Sequence, residues 1–463
     1  MHDVVISGTG LWVAPEVITN AELVASFNAY ARRYNEANAD AIAAGELAAV
    51  AESSVEFIEK ASGIRQRYVI DKAGVLDPAR MRPRLAPRGD DTLSLQAEIG
   101  VAAAREALAA AGRDAADIDM LICSAANMQR PYPAMGIEIQ NALGAGGYAF
   151  DMNVACSSAT FGLEQAVNAV RTGSARMALM VNPEITSGHL AWQDRDCHFI
   201  FGDVCTAVVV ERADDARARD QWHVLGTRMA TRFSNSIRNN AGFLSRSEDR
   251  HPDDRDQLFR QEGRKVFKEV CPMAAEHIAG HLQALGHAPA DVRRFWLHQA
   301  NLGMNQLIGK RLLGRDATAD DAPVILDEFA NTASAGSIIA FHRHRGDLRP
   351  GDLGVICSFG RGIRSGAWRC ASADRTVAGG APLHEAGGAA PYRLIHPRGH
   401  AGPRPSAGGP SLGFALALRP LAFAPGWLGA RRPLQRVQSI DQPRLGPRDA
   451  DPRVTSSSFN DAR

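Results

Sequence analysis

From residue 1 to about 360 the chain alternates short β-branched and aliphatic runs with longer stretches in which apolar positions recur every three to four residues. The first pattern has the period of a strand and the second that of an amphipathic helix, so their alternation predicts a layered α/β fold. Strands are expected at VVISGTG, MLICSA, YAFDMNVA, ALMVNPE and TAVVVER, then at WHVLGTRM, RRFWLHQA, PVILDEFA and LGVICSF. Helices are expected over 93–111, 135–143, 157–172, 262–286, 303–313 and 334–344. The order of elements repeats, ADIDMLICSAAN following one helix as ADVRRFWLHQAN follows another, which divides the chain into similar halves, 1–215 and 216–360. The segment 26–56 stands outside this repeat, reads as helical and is expected to cover a site entrance.

Charge changes little in this picture. The formal net charge is +1, so no overall field points to nucleic acid or an anionic membrane surface. The N-terminus MHDVVISGTG lacks a basic start and a long apolar run, and no stretch is apolar enough to span a bilayer. The expectation is a cytoplasmic protein with neither membrane nor nucleic acid as partner. Seven cysteines, odd in number and without CxxC spacing, argue against a disulfide framework and against a zinc site.

Three polar residues stand at expected strand-to-helix junctions. Cys156, in DMNVACSSATFG, opens a helix whose free N–H groups and dipole favour a thiolate. His298 closes RRFWL, at the strand end where α/β folds place ligands. Asn331 lies in EFANTASAGS, between a strand and a small-residue helix start. Taken singly, each reads as core filler, a hydrogen-bonded core imidazole and a cap; together they fit a Cys-His-Asn site. Cys123, Cys197, Cys205, Cys271 and Cys357 keep the filler reading. Gly8-Thr9-Gly10 follows the first strand, but Val13 breaks the dinucleotide fingerprint, and His342 and His344 read as a solvated helix surface rather than a metal site.

The motifs ACSS, LHQAN and ANTASAGS, in that order, resemble those of the β-ketoacyl-acyl-carrier-protein synthase III family, and SGIRQRYV, RPYP, DRDCHFIFGD and SFG extend the likeness across residues 1–360. The resemblance implies a thiolase-like α/β fold of two similar βαβαβ halves in a five-layer αβαβα arrangement, usually a homodimer, with no cofactor. It implies that Cys156 takes an acyl group from acyl-CoA. His298 and Asn331 then stabilise the enolate formed when malonyl-acyl-carrier-protein loses carbon dioxide, giving a 3-oxoacyl product in fatty acid biosynthesis. By the same likeness Asn301 and Arg195 bind substrate, and Tyr132 reaches the partner subunit's acyl pocket. The backbone N–H groups of Cys156 and Arg361 line the oxyanion hole. Phe57 and Ala61 stand where the family has a Trp and an Arg that clamp the CoA adenine. Gly303 replaces a carrier-protein-docking arginine, with Lys310 and Arg311 as substitutes. Alternatives within the fold are a head-to-head condensing enzyme and an acyltransferase acting on an alcohol or amine. A papain-like protease shares the three residue types but carries its cysteine near the mature N-terminus.

After residue 360 the chain turns rich in Arg, Pro, Gly and Ala and loses its periodicity. The family ends on a strand resembling SFGAGYSIGSVALR, whereas here SFG is followed by RGIRSGAWRC. One permitted coding of those ten residues, shifted by one base, reads AGYSIGSVAL. Residues 361–463 are therefore read as an out-of-frame or disordered tail, with the last strand lost and the chain expected to be poorly soluble or weakly active; an inactive product of a frameshifted gene is the alternative.

Overall fold

The computed structural model describes residues 1–251, 253–360 and 362–372. After β1 (Val4–Val13), the short pair β2 (Glu16–Thr19) and β3 (Gln66–Val69) encloses α1 (Asn20–Ala37), α2 (Ala39–Ala43) and α3 (Val55–Ser62). Next come α4 (Lys72–Leu76), α5 (Leu95–Ala111), β4 (Met120–Ser124), α6 (Met135–Leu143), β5 (Tyr148–Met152), α7 (Ser158–Thr172), β6 (Met177–Glu184) and β7 (Val204–Arg212). The second passage holds β8 (Asp220–Thr231), β9 (Ile237–Arg238), β10 (Arg260–Gln261), α8 (Gly263–Ala284), β11 (Val292–Leu297) and α9 (Leu302–Leu313). It ends with α10 (Leu326–Phe329), α11 (Gly336–Arg343), β12 (Leu353–Phe359) and β13 (Gly362–Ser372).

Nine strands form one curled sheet in the order β11-β12-β13-β8-β1-β7-β6-β4-β5. The succession β4-β6-β7-β1 is matched by β11-β12-β13-β8: the first pair is parallel and the next two are antiparallel in both. The two runs meet at β1 and β8, through Val5–His223 and Ile6–Trp222. Side chains alternate across the strands. Ile122, Met180 and Ile356 turn inward onto α7 and α11, Leu121 and Leu179 turn outward onto α5, and Phe295 and Val355 turn outward onto α8 and α9. Helix, sheet, central helix pair, sheet and helix make five layers.

Small residues set the layer spacing. A Cβ at Gly8 would lie 2.2 Å from the carbonyl oxygen of Ala107, and one at Gly10 would lie 2.0 Å from that of Ala103. The Gly-Thr-Gly run thus lets α5 rest directly on β1.

The structure corrects four expectations. PVILDEFA is not a strand: the Gln299 side chain donates to Pro323 O (3.3 Å) and accepts from the N–H of Ile325 (3.1 Å), taking backbone groups a ladder would use, and Leu326–Phe329 closes as α10. In 26–56, helix starts earlier, at a Thr19–Glu22 capping box, and 44–54 is not helical. Asn28 and Asn35 hold that stretch against α1 by bonding both N–H and C=O of Ser53 and of Val50. His342 is not solvated: its Nδ1 lies 2.7 Å from the Thr9 hydroxyl, tying α11 to β1, and burial lowers its pKa to about 4. Finally, the last strand is not lost. The backbone of Gly362–Ser372 runs antiparallel between β12 and β8, pairing Phe359 with Ile363 and Asp220 with Ser372. A ladder is built from groups every non-proline residue carries, and this stretch contains no proline. Arg361 and the tail from 373 to 463 lie outside the described residues. No described helix is long and apolar enough to cross a membrane.

Candidate active site

The turn after β5 is built to present Cys156. Asn153 Oδ1 accepts the N–H of Ala155 at 2.9 Å, and Ala155 adopts φ +49°, a left-handed conformation that a Cβ disfavours. The Ser158 hydroxyl accepts from the N–H of Val154 and donates to Ala155 O, both at 2.8 Å. Cys156 sits half-buried within the tight turn Ala155–Ser157, immediately before α7. The other described cysteines are buried, and burial pushes the thiols of Cys123 and Cys205 well above the usual range.

His298 follows β11, its N–H donating to Cys357 O at 2.8 Å and its ring edge-on to Phe359, 5.1 Å between centroids. The side chain is 2 % exposed, and burial lowers its pKa to about 4, so the imidazole is neutral at physiological pH. Its Nδ1 is buried with no partner among the described residues. Asn331 is tied to the chain at 199–203: its N–H donates to Ile200 O (2.9 Å) and its C=O accepts from Gly202 (3.2 Å). Its Oδ1 accepts the N–H of Ala333, another residue at φ +49°, which leaves the side-chain NH2 available as a donor.

All three line one cavity of about 660 Å³. Its wall is mostly apolar, with Phe57, Phe199, Phe201, Ile237, Phe259 and Met304, and the charged residues Glu59, Lys60, Asp196 and Arg264 also line it. Gly360 closes the far side. A Cβ there would lie 3.0 Å from Cys156 Cβ and 3.7 Å from its Sγ, so a side chain would press on the thiol.

The other expected site residues divide. Asn301 lines the cavity, but both ends of its amide are engaged: Oδ1 caps α9 at Gly303 and Met304, and Nδ2 donates to Ala61 O at 2.5 Å. Phe57 also lines it, with the Arg195 guanidinium 3.8 Å above its ring. Arg195 itself is beside the cavity rather than in its wall, donating to Glu52 O at 2.8 Å. None of the residues 26–56 lines the cavity, although the segment reaches its edge where Ser54 Oγ accepts the N–H of Phe57 at 3.1 Å and Glu52 O accepts from Arg195. Lys310 pairs with Asp316 at 3.0 Å, and neither it nor Arg311 lines the cavity. Tyr132 is not among the residues that line the cavity and is 82 % exposed. Arg264 and Gly360 were missed as site residues, although GRKVFK and the terminal SFG carried the signal.

A neutral, buried imidazole has a measurable consequence. The unfolded chain protonates histidine below about pH 6.5, while folded His298 stays neutral down to about pH 4. Its contribution to stability is therefore complete above pH 6.5 and is lost as pH falls through 4. The difference in melting temperature between wild type and His298→Asn should shrink steadily as pH is lowered from 7 to 4. A constant difference would mean that the folded imidazole takes up its proton at the same pH as the unfolded one.

The chain matches the 3-oxoacyl-[acyl-carrier-protein] synthase III family over residues 150–231 and that family's C-terminal domain over 282–370. It is 60 % identical over 342 residues to a β-ketodecanoyl-[acyl-carrier-protein] synthase of Pseudomonas aeruginosa, covering 74 % of this chain and 98 % of that protein. It is 31 % identical over 361 residues to a β-ketoacyl-[acyl-carrier-protein] synthase III of Roseiflexus castenholzii, covering 77 % and 94 %. Among solved structures, the 3-oxoacyl-[acyl-carrier-protein] synthase III of Aquifex aeolicus superposes with a TM-score of 0.61 at 24 % identity, covering 79 % of this chain and 99 % of that one.

Proposed function

The chain belongs to the 3-oxoacyl-[acyl-carrier-protein] synthase III family, and on that premise we propose that it condenses an acyl primer from acyl-CoA with malonyl-acyl-carrier-protein, by way of an acyl-Cys156 intermediate, in fatty acid synthesis. The observation that carries this reading is the meeting of Cys156, His298 and Asn331 in one apolar-walled cavity.

The Cys156 thiolate attacks the primer's thioester carbon, and CoA leaves as its thiol. The malonyl thioester then loses carbon dioxide, its electron pair passing into an enolate whose oxygen needs donors. Two neutral donors are at hand: the Asn331 NH2 and the His298 imidazole. A buried bare acceptor is tolerated better than a buried unpaired N–H. The unpartnered Nδ1 of His298 therefore favours the tautomer protonated on Nε2, which serves as the donor. The enolate carbon attacks the acyl-cysteine carbonyl, releasing the thiolate and the 3-oxoacyl thioester.

The primer is medium-chain. Support comes from the apolar wall, whose volume is that of a typical small-molecule site, and from the name of the Pseudomonas relative, whose ten-carbon product requires an eight-carbon primer. With purified protein weighed intact after exposure to acyl-CoAs, octanoyl-CoA should acylate Cys156 faster than acetyl-CoA. Faster acetylation would overturn the chain length but not the reaction.

A homodimer completes the reading. Tyr132 presents a solvated ring, and β5 ends the sheet with one edge unpaired among the described residues. The site of action is the cytoplasm.

The tail from 361 is an out-of-frame translation. In support, 74 % of this chain covers 98 % of the Pseudomonas relative, which leaves the tail without a counterpart of its length. A chain restored to AGYSIGSVALR after Gly360 should melt at a higher temperature and condense faster than the 463-residue form. Equal melting and equal activity, with the frame confirmed by resequencing, would overturn this.

A further inference from the structure

Glu184 ends β6 with a carboxylate that is 1 % exposed and lies outside the cavity wall. It forms no ion pair among the described residues, and burial raises its pKa to about 7. Cys123 on β4 and Cys205 on β7, which feel its charge, have thiols pushed well above the usual range and so stay neutral. What holds the carboxylate is a ring of donors from its own strand and from two other stretches of chain. The N–H of Ala126 reaches its two oxygens at 3.0 and 3.2 Å. The N–H and hydroxyl of Ser334 reach Oε1 at 3.3 and 2.5 Å, and Asn182 Nδ2 reaches it at 3.1 Å.

From these contacts hydrogen bonds run outward to two strained turns. On one side Ala126 O accepts Asn153 Nδ2 at 2.8 Å, and Asn153 Oδ1 accepts the N–H of Ala155, which stands at φ +49° next to Cys156. On the other side Ser334 follows Ala333, also at φ +49°, whose N–H is held by Asn331 Oδ1 at 3.0 Å. Alanine stays in such a conformation only where its surroundings over-determine it. We infer that Glu184 is the positioning residue that holds the cysteine turn and the asparagine turn in register with each other. Oε1 gathers the Ala126, Asn182 and Ser334 donors together, and Oε2 takes only the Ala126 N–H. In Glu184→Gln an NH2 at the Oε2 place would confront the Ala126 N–H, and one at the Oε1 place would confront the Ser334 and Asn182 donors as well.

The inference rests on the roles proposed for Cys156 and Asn331, and three variants test it. Glu184→Gln should slow both Cys156 acylation and malonyl decarboxylation by about tenfold or more, as small misplacements of reacting groups do. Asn153→Ala should slow acylation, and alkylation of Cys156 by iodoacetamide, while decarboxylation stays within about twofold; Ser334→Ala should do the reverse. General destabilisation would not split the half-reactions this way, and melting curves measure it separately. The idea is overturned if Glu184→Gln leaves both rates and the alkylation rate unchanged. It is equally overturned if Asn153→Ala and Ser334→Ala each lower both half-reactions alike. Should Glu184→Gln fail to fold, the split between the two outer variants decides. Iodoacetamide reads the cysteine turn even without acyl transfer, so a wild type that takes up no acyl group, with alkylation behaving as expected, counts against the proposed activity alone.

Discussion

Cys156→Ala is expected to abolish acyl transfer from acyl-CoA, with no mass gain on the protein at any primer length. Only a thiolate at the start of α7 becomes covalent in the proposed reaction, and no other described cysteine can replace it. Cys123, Cys197, Cys205, Cys271 and Cys357 are buried, and a thiol must be exposed and ionised to react. Decarboxylation should behave differently. In Cys156→Ser or Cys156→Gln the donors His298 and Asn331 remain on the same cavity, so malonyl thioester should still lose carbon dioxide at a measurable rate. Liquid chromatography of the thioester products reads that rate directly. Acylation of Cys156→Ala at the wild-type rate would remove Cys156 from the reaction.

The second large effect is expected at the two donors. His298→Ala or Asn331→Ala should slow malonyl decarboxylation by about 10²-fold or more, the scale of losing one oxyanion donor from a site shielded from water. His298 and Asn331 are both buried and His298 is held neutral by its burial, so water offers little substitute for either group. Acylation should suffer less, because it depends first on the cysteine turn. That turn is held by hydrogen bonds of Asn153 and Ser158 to its own backbone. Stopped assays of the two half-reactions give the split. Equal loss in both would mean that the donors serve the acyl thioester as much as the enolate.

Much of the fold could be read from periodicity because strands and helices announce themselves locally. MLICS and LGVICSF, expected as strands, are β4 and β12, and the helices at 95–111, 135–143 and 158–172 lie within two residues of their expected ends. The errors share one cause. PVILDEFA has a strand's composition, but Gln299, more than twenty residues away, occupies its backbone groups. Residues 44–54 have a helix's composition, but Asn28 and Asn35 hold them extended against α1. His342 has the pattern of a solvated residue, but Thr9 lies opposite it. In each case a side chain distant in sequence decides, and local propensity carries no information about it.

By itself, then, the sequence determined the alternating α/β architecture, the strand-end junctions and the residue types Cys156, His298 and Asn331, since period and turn chemistry are written in consecutive residues. Only the tertiary structure decided which junctions meet. It brought His298 from β11 and Asn331 from beyond α10 to the start of α7, laid Gly360 against the thiol, and sent Arg195, Lys310 and Tyr132 elsewhere than the cavity wall. It also decided that residues 362–372 fill the place of a strand, because a sheet recruits backbone groups rather than side chains. The buried carboxylate of Glu184 belongs wholly to that second category: nothing in NPE marks it, and its meaning lies in the distant stretches around Ala126 and Ser334 that it bonds.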